Sequence, residues 1–335
     1  MYQLKELFIE VTNCCFQYCV HCSSCAIDKN YPEIQFEDLK RVVDQALPLG
    51  LQNVTLSGGE PFLYGDLYKA LEYFTHKNLL TSIYTCGVIK DSQENLSYIG
   101  RDIFEKFKNK NLNKIIFSLH GASSLTQDSV ANTDGSFNFV MQSLDNAQHA
   151  GINIELHVVP MRSNLYDLED ILKIAMRKKI QQVSFLRFVP QGRGDFSMEP
   201  TKEQYRLLME KYKTWGKKYS DIKIRFGTPY NCLTFEGRRC TAGIDKLLIT
   251  ANGEYFPCEA FKYLKGTRAS IYDTDIADFW AHDVLMNELR SLSLDNISVC
   301  NTCPNKDLCR AGCAGQRLQR NGSLMKGPDS SCLMR

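Results

Sequence analysis

Short apolar runs alternate along this chain with stretches whose apolar positions return every three to four residues, and that alternation predicts strand followed by helix. Residues 4–11 read as a buried strand closed by Thr12 and Asn13. In residues 36–49, Leu39, Val42, Val43, Ala46 and Leu47 share one helical face, and Gly50 supplies a stop. Further strands are expected at 53–56, 79–84, 114–119, 152–159 and 183–189, with helices at 66–77, 101–110, 138–150 and 165–178. A last helix at 203–219 leads to a strand at 222–226 that begins an exit. Six strand-helix alternations without a seventh and eighth predict an α/β fold built as a partial (β/α)6 barrel, open along one side. The rhythm ends near residue 228, which sets two domains, 1–228 and 229–335. The second is expected to be small, cysteine-rich and α+β. It should hold a hairpin of 246–250 and 254–257 about Asn252-Gly253, and an amphipathic helix over 275–292.

Composition narrows the function classes. Forty basic against 38 acidic residues leave a formal charge of +2, so no global field recruits nucleic acid or an anionic membrane. No stretch reaches membrane-spanning length and the first residues form no signal segment, which predicts a cytoplasmic protein. In a reducing compartment 14 cysteines are expected to be metal ligands rather than disulfides, and most of them cluster.

The first cluster, Cys15-x3-Cys19-x2-Cys22, hangs from the C-terminal end of the first strand, where the sites of parallel α/β folds gather. Three thiolates cover three corners of a 4Fe-4S cube and leave one iron open. A zinc loop is the competing reading. Downstream, the second strand runs into Gly58-Gly59-Glu60-Pro61, whose glycines admit a ligand close to the backbone and whose carboxylate can accept from an ammonium. Together these motifs resemble the radical S-adenosylmethionine (SAM) superfamily, over nearly the whole chain, with a TIM-like partial barrel as its fold. The resemblance implies that the open iron binds SAM, and that one-electron reduction of SAM yields a 5'-deoxyadenosyl radical that abstracts hydrogen from a substrate. It places His21 beside the adenine, unless it is merely a loop histidine, and the backbone near Val189 against the same ring. Ser118, ahead of His120-Gly121 where relatives have Asp-Gly, is either a ribose contact or a strand-end cap. The arginine that relatives use for the SAM carboxylate is missing around 127–132, leaving Arg187 or Arg162 as candidates. Cys86 stands where relatives often have Asn, and Cys14 and Cys25 are bystanders.

Cys240, Cys258, the run Cys300-x2-Cys303-x5-Cys309-x3-Cys313 and Cys332 resemble the SPASM extension of that superfamily. The resemblance implies two auxiliary iron-sulfur clusters, one on Cys300, Cys303, Cys309 and Cys332, the other on Cys240, Cys258 and Cys313. Zinc in both sites is the plain alternative. Cys232 is either the fourth ligand of the second set or a free thiol that donates hydrogen to a substrate radical; otherwise that iron stays open to substrate. Glu259 stands where sulfatase-maturing relatives place a carboxylate base, or is simply solvated.

The leading reading is a radical SAM/SPASM enzyme that modifies a peptide or protein by oxidation, epimerisation or cross-linking. The same chemistry on a small metabolite or tetrapyrrole is the alternative, and a non-catalytic iron-sulfur redox protein a third. With the first strand so close to Met1, a leader peptide would be recognised by a separate chain. A flavodoxin or ferredoxin would deliver electrons, with Arg317, Arg320 and Lys326 as a small basic docking face.

Overall fold

The computed structural model describes residues 2–108, 110–264, 266 and 268–334. Its elements follow the expected rhythm: β1 (Glu6–Thr12), α1 (Phe36–Ala46), β2 (Asn53–Gly58), α2 (Leu67–His76) and β3 (Leu80–Thr85). A small hairpin, β4 (Val88–Lys90) and β5 (Leu96–Tyr98), precedes α3 (Arg101–Glu105), which is shorter than the expected 101–110; residue 109 lies outside the described residues. Then come β6 (Leu112–Ser118), α4 (Ser124–Ala131), α5 (Ser136–His149), β7 (Ile154–Val158), α6 (Leu168–Arg177), β8 (Gln182–Phe185), α7 (Lys202–Lys218) and β9 (Lys223–Phe226). The rest is α8 (Asn231–Thr234), β10 (Lys246–Ile249), β11 (Tyr255–Phe256), α9 (Ile276–His282), α10 (Val284–Ser291), α11 (Lys306–Cys309) and α12 (Ala314–Asn321).

One nine-stranded sheet carries the molecule, in the order β11-β10-β1-β2-β3-β6-β7-β8-β9, parallel throughout except for β10 and β11. Two expectations are corrected here. The strand at 222–226 does not leave the barrel: β9 pairs in parallel with β8 over Gln182–Phe185 and is the seventh strand of the run. The expected hairpin forms, but β10 also pairs with β1, so the sheet crosses the boundary expected near 228. The cause is chemical: Leu247 and Ile249 are as apolar as the strands beside them and complete the same buried core as Leu7 and Ile9.

Side chains alternate across each strand. Val54, Leu56, Ile83, Ile115, Phe117, Leu156 and Val183 join the apolar core shared with the helices. The other parity on β7 and β8 is polar: Glu155 accepts from Gln182 Nε2 at 2.8 Å and from His157 Nε2 at 2.7 Å, and it pairs with Lys114.

Candidate functional site

The cysteine loop leaves β1 and is pinned from three sides. Gly59 N donates to Thr12 O at 2.8 Å and Glu60 N to Cys14 O at 2.7 Å. Tyr18 N and Val20 N donate to Ala131 O and Val130 O at the end of α4. From the far end of the barrel, Arg193 N, Nε and Nη1 donate to Cys22 O (3.0 Å), Cys19 O (2.9 Å) and Ala26 O (2.8 Å). The glycine pair is required by this contact: a Cβ on Gly58 would stand 2.2 Å from Thr12 O, and one on Gly59 2.1 Å from Cys14 O.

Cys15, Cys19 and Cys22 line one cavity with Gly58, Gly59, Ser118, His120, Gln127 and Arg193. His21 is in the same wall, its ring 4.4 Å from His120 and edge-on to it. Burial, with help from Arg193, lowers its pKa to about 4, so it is a neutral imidazole near neutral pH. Burial pushes the Cys19 and Cys22 thiols up. Cys14 and Cys25 stay out of the wall.

Several residues expected in this cavity, Glu60, Pro61, Arg187, Arg162 and Val189, are placed elsewhere. Glu60 is fully buried behind the glycines: its carboxylate accepts from Thr85 Oγ1 (2.9 Å), Cys86 N (2.7 Å) and Phe62 N (3.0 Å), and Pro61 opens the turn beneath it. With those donors engaged, the carboxylate has no access to an ammonium in the cavity. Arg187 is also spent. Its guanidinium pairs with Glu199 at 2.6 Å and Asp329 at 3.1 Å and donates to Ser330, Ser331 and Gln316. Arg162 is exposed and donates to Glu199 O. The arginine in the wall is Arg193, whose Nη2 is buried and has no hydrogen-bond partner among the described residues. The basic loop at 190–194 was its signal in the sequence, since a cation after a strand's C-terminal end can turn back over the barrel mouth.

A larger chamber of about 410 Å³ adjoins this cavity, sharing His21, Gly58, Tyr84, Val159 and Leu186 with it. Its far wall holds Cys240, Cys258, Glu259 and Cys313, and Val189 lines it too, on the chamber side rather than in the cysteine cavity. Glu259 has a 39 % accessible side chain, but the chamber is what it faces. Burial and the charge of Glu10 raise its carboxyl pKa, with Lys262, 3.4 Å away, and Lys246 opposing them.

Cys86 lines the first cavity beside Cys15, and the later thiols lie round two others. Cys300, Cys303, Cys309 and Cys332 line a separate cavity, and Cys240, Cys258 and Cys313 share the chamber wall. Cys232 is a correction: it lines the cavity of the first set, not the chamber. Its helical turn points it inward, where Sγ lies 2.9 Å from Ser331 Oγ. Burial pushes the Cys309 and Cys313 thiols up to about 11, so a metal that binds these two must displace their protons. Among the described residues no three His, Cys, Asp or Glu side chains converge tightly enough to grip one ion. Sets of cysteines spread round a cavity suit a cluster, whose irons are spaced apart, better than single zinc ions. Of the expected basic face, Arg317 is buried, with Nη1 donating to Ala311 O, while Lys326 and Arg320, the latter paired with Glu199, are exposed.

Comparison with known proteins agrees with this geometry. A model of the radical SAM superfamily matches residues 9–175, and one of the SPASM iron-sulfur cluster-binding domain matches 240–304. Relatives include the mycofactocin maturase MftC of Mycolicibacterium smegmatis, 26% identical over 97% of this chain and 81% of its own length. The AdoMet-dependent heme synthase of Methanosarcina barkeri is 23% identical, over 95% and 93%. The PqqA peptide cyclase of Rhizobium meliloti is 23% identical, over 98% and 86%. Among solved structures, Streptococcus suis SuiB bound to its precursor peptide SuiA superposes with a TM-score of 0.78 at 21% identity, covering 99% of this chain and 76% of that one. Thiols on a strand-end loop, a glycine cradle and two further cysteine sets across a shared chamber thus have a common origin: the chain belongs to the radical SAM superfamily, in its SPASM-bearing branch, and is an enzyme that uses SAM, a 4Fe-4S cluster and auxiliary iron-sulfur clusters.

Proposed function

We propose that this enzyme abstracts hydrogen from a residue of a peptide or protein held in the chamber between the two cysteine regions. The observation that carries the reading is the continuity of the cysteine cavity with a chamber of about 410 Å³, large enough for a side chain and its flanking backbone. The peptide-bound SuiB structure and the PqqA peptide cyclase support this class of substrate over a metabolite. When bound, SAM and the reduced cluster supply a 5'-deoxyadenosyl radical.

In this reading Cys15, Cys19 and Cys22 hold the cube that binds SAM, the backbone at Gly58 and Gly59 borders the methionyl group, and Arg193 takes its carboxylate through the free Nη2. Neutral His21 flanks the adenine and Ser118 the ribose. Across the chamber, Glu259 accepts the proton released when a substrate radical is oxidised, and Lys262, 3.4 Å away, balances its charge beforehand. Cys300, Cys303, Cys309 and Cys332 hold one auxiliary cluster; Cys240, Cys258 and Cys313 hold the other. A flavodoxin or ferredoxin supplies electrons, and a separate chain presents the leader.

Anaerobically reconstituted protein is incubated with SAM, dithionite and a short peptide encoded beside its gene. The expected result is 5'-deoxyadenosine release with a mass change confined to that peptide, from protein carrying about twelve irons per chain. Release of 5'-deoxyadenosine with an unchanged peptide, together with turnover of a tetrapyrrole, overturns the peptide reading.

A further inference from the structure

Two cations in the chamber have no carboxylate partner. Arg225 on β9 donates Nε to Ser184 Oγ at 3.1 Å, and its guanidinium forms no ion pair among the described residues. Lys246 on β10 sits with Nζ 3.5 Å from the centroid of the Phe8 ring and likewise forms no ion pair among them, its charge reaching Glu259 and Cys258 only at longer range. The two acids in the same wall are already claimed: Lys262 pairs with both Glu10 and Glu259. β9 ends one edge of the sheet, and β10 lies next to the other. Because both line one chamber, the sheet bends until these two cations look into a common space. Both are half-buried and line the chamber with donors that no ion pair occupies. An anion entering the chamber can take those donors, and a carboxylate fits best, since a guanidinium grips it through two parallel hydrogen bonds.

We propose that Arg225 and Lys246 form a carboxylate-binding subsite, so that the substrate carries an acidic residue beside the position that reacts. This rests on the peptide reading for the form of the substrate, but the subsite itself requires only a carboxylate. A tetrapyrrole propionate offers the same group, and the test separates the two sources.

Holoenzyme loaded with SAM is titrated calorimetrically with the blocked tripeptide acetyl-Ala-Glu-Ala-amide and with its Gln counterpart. The Glu probe is expected to bind at least about tenfold more tightly. Arg225→Gln and Lys246→Gln should each bring the two probes close to parity at unchanged iron content, while Arg225→Lys and Lys246→Arg keep most of the preference. Equal binding of the two peptides, with coproporphyrin also indifferent to both Gln variants, overturns the subsite. So does Lys246→Gln if it sheds auxiliary iron and keeps the Glu preference, because Lys246 would then serve only to balance the nearby Cys258 thiolate. If coproporphyrin binds in an Arg225- and Lys246-dependent manner and the peptides do not discriminate, the subsite stands and the peptide reading fails.

Discussion

Glu155 stands inside the barrel on β7 and gathers Lys114, His157, Gln182 and Ser184 round one carboxylate. Burial alone would raise its pKa, but the hydrogen bonds from His157, Lys114 and Ser184 outweigh that and hold it well below the usual carboxylate range. Burial also lowers His157, against the pull of Glu155, so the ring is neutral near neutral pH. For both groups the unfolded chain binds protons at a higher pH than the native one, so both make the fold less stable as pH falls. The His157 part fades below about pH 6.5, and the Glu155 part only below about pH 4.3. Glu155→Gln is expected to cost about 3 kcal/mol at pH 7, by leaving Lys114 without its counter-ion. Urea midpoints of the two proteins should converge as pH drops below that carboxylate range, and a constant gap would contradict the assignment. The sequence at 152–159 revealed a buried strand with Glu155 and His157 on one parity. It could not reveal that this parity meets other polar side chains, because those come from strands 30 or 40 residues away in the chain.

Elements were legible where one pattern governed them and obscure where two met. The run 275–292 keeps helical periodicity, yet Asp283 accepts from Met286 N and caps a new helix, so α9 ends at His282 and α10 starts at Val284. β8 was expected to reach 189, but pairing stops at Phe185, and the chain beyond it turns toward the cysteine loop instead of along the sheet. The glycines at 58–59 were read as room for a ligand; they are also room for the carbonyls of Thr12 and Cys14, a close approach that spacing alone does not disclose. The loop at 191–194 does comparable work. Gly192 has φ +66°, and a Cβ there would lie 2.3 Å from Cys22 O. Gly192→Ala is therefore expected to lift this loop from the cysteine loop and lose about four of about twelve irons, with the auxiliary eight retained. Arg193→Gln, which keeps the backbone contact but removes the bonds to Cys19 O and Ala26 O, should retain part of that iron and bind SAM more weakly. Iron analysis alongside calorimetric titration with SAM tests both. Full iron in Gly192→Ala would mean that the clamp is not needed.

At the scale of the whole molecule, the question is whether a boundary at residue 228 divides two folding units. The first 228 residues hold the motif that binds SAM, but they do not close their own structure. Without β10 the edge of β1 presents Glu6–Ile9 unpaired, an apolar strand edge open to other chains. Trp280 reaches back from α9 to donate to Tyr2 O at 2.9 Å, and one core joins Leu7 and Ile9 to Leu247, Ile249 and Trp280. Electrostatics point the same way: Arg187, at the end of β8, has Glu199 from its own half and Asp329 from the other, and Asp329 also accepts from Cys313 N at 2.8 Å. Asp329→Asn removes one charge from a buried cluster and is expected to cost about 3–5 kcal/mol. Its effect should be felt both in the Cys313 site and in the barrel. The two halves should then melt together. Full-length holoenzyme is expected to give a single calorimetric transition, lowered as a whole by Asp329→Asn, and residues 1–228 expressed alone should precipitate or show no cooperative melting. Two separate transitions in the full chain, with only the second moved by Asp329→Asn and the first reproduced by the 1–228 fragment, would show that the shared sheet edge and the Arg187 cluster do not couple the halves.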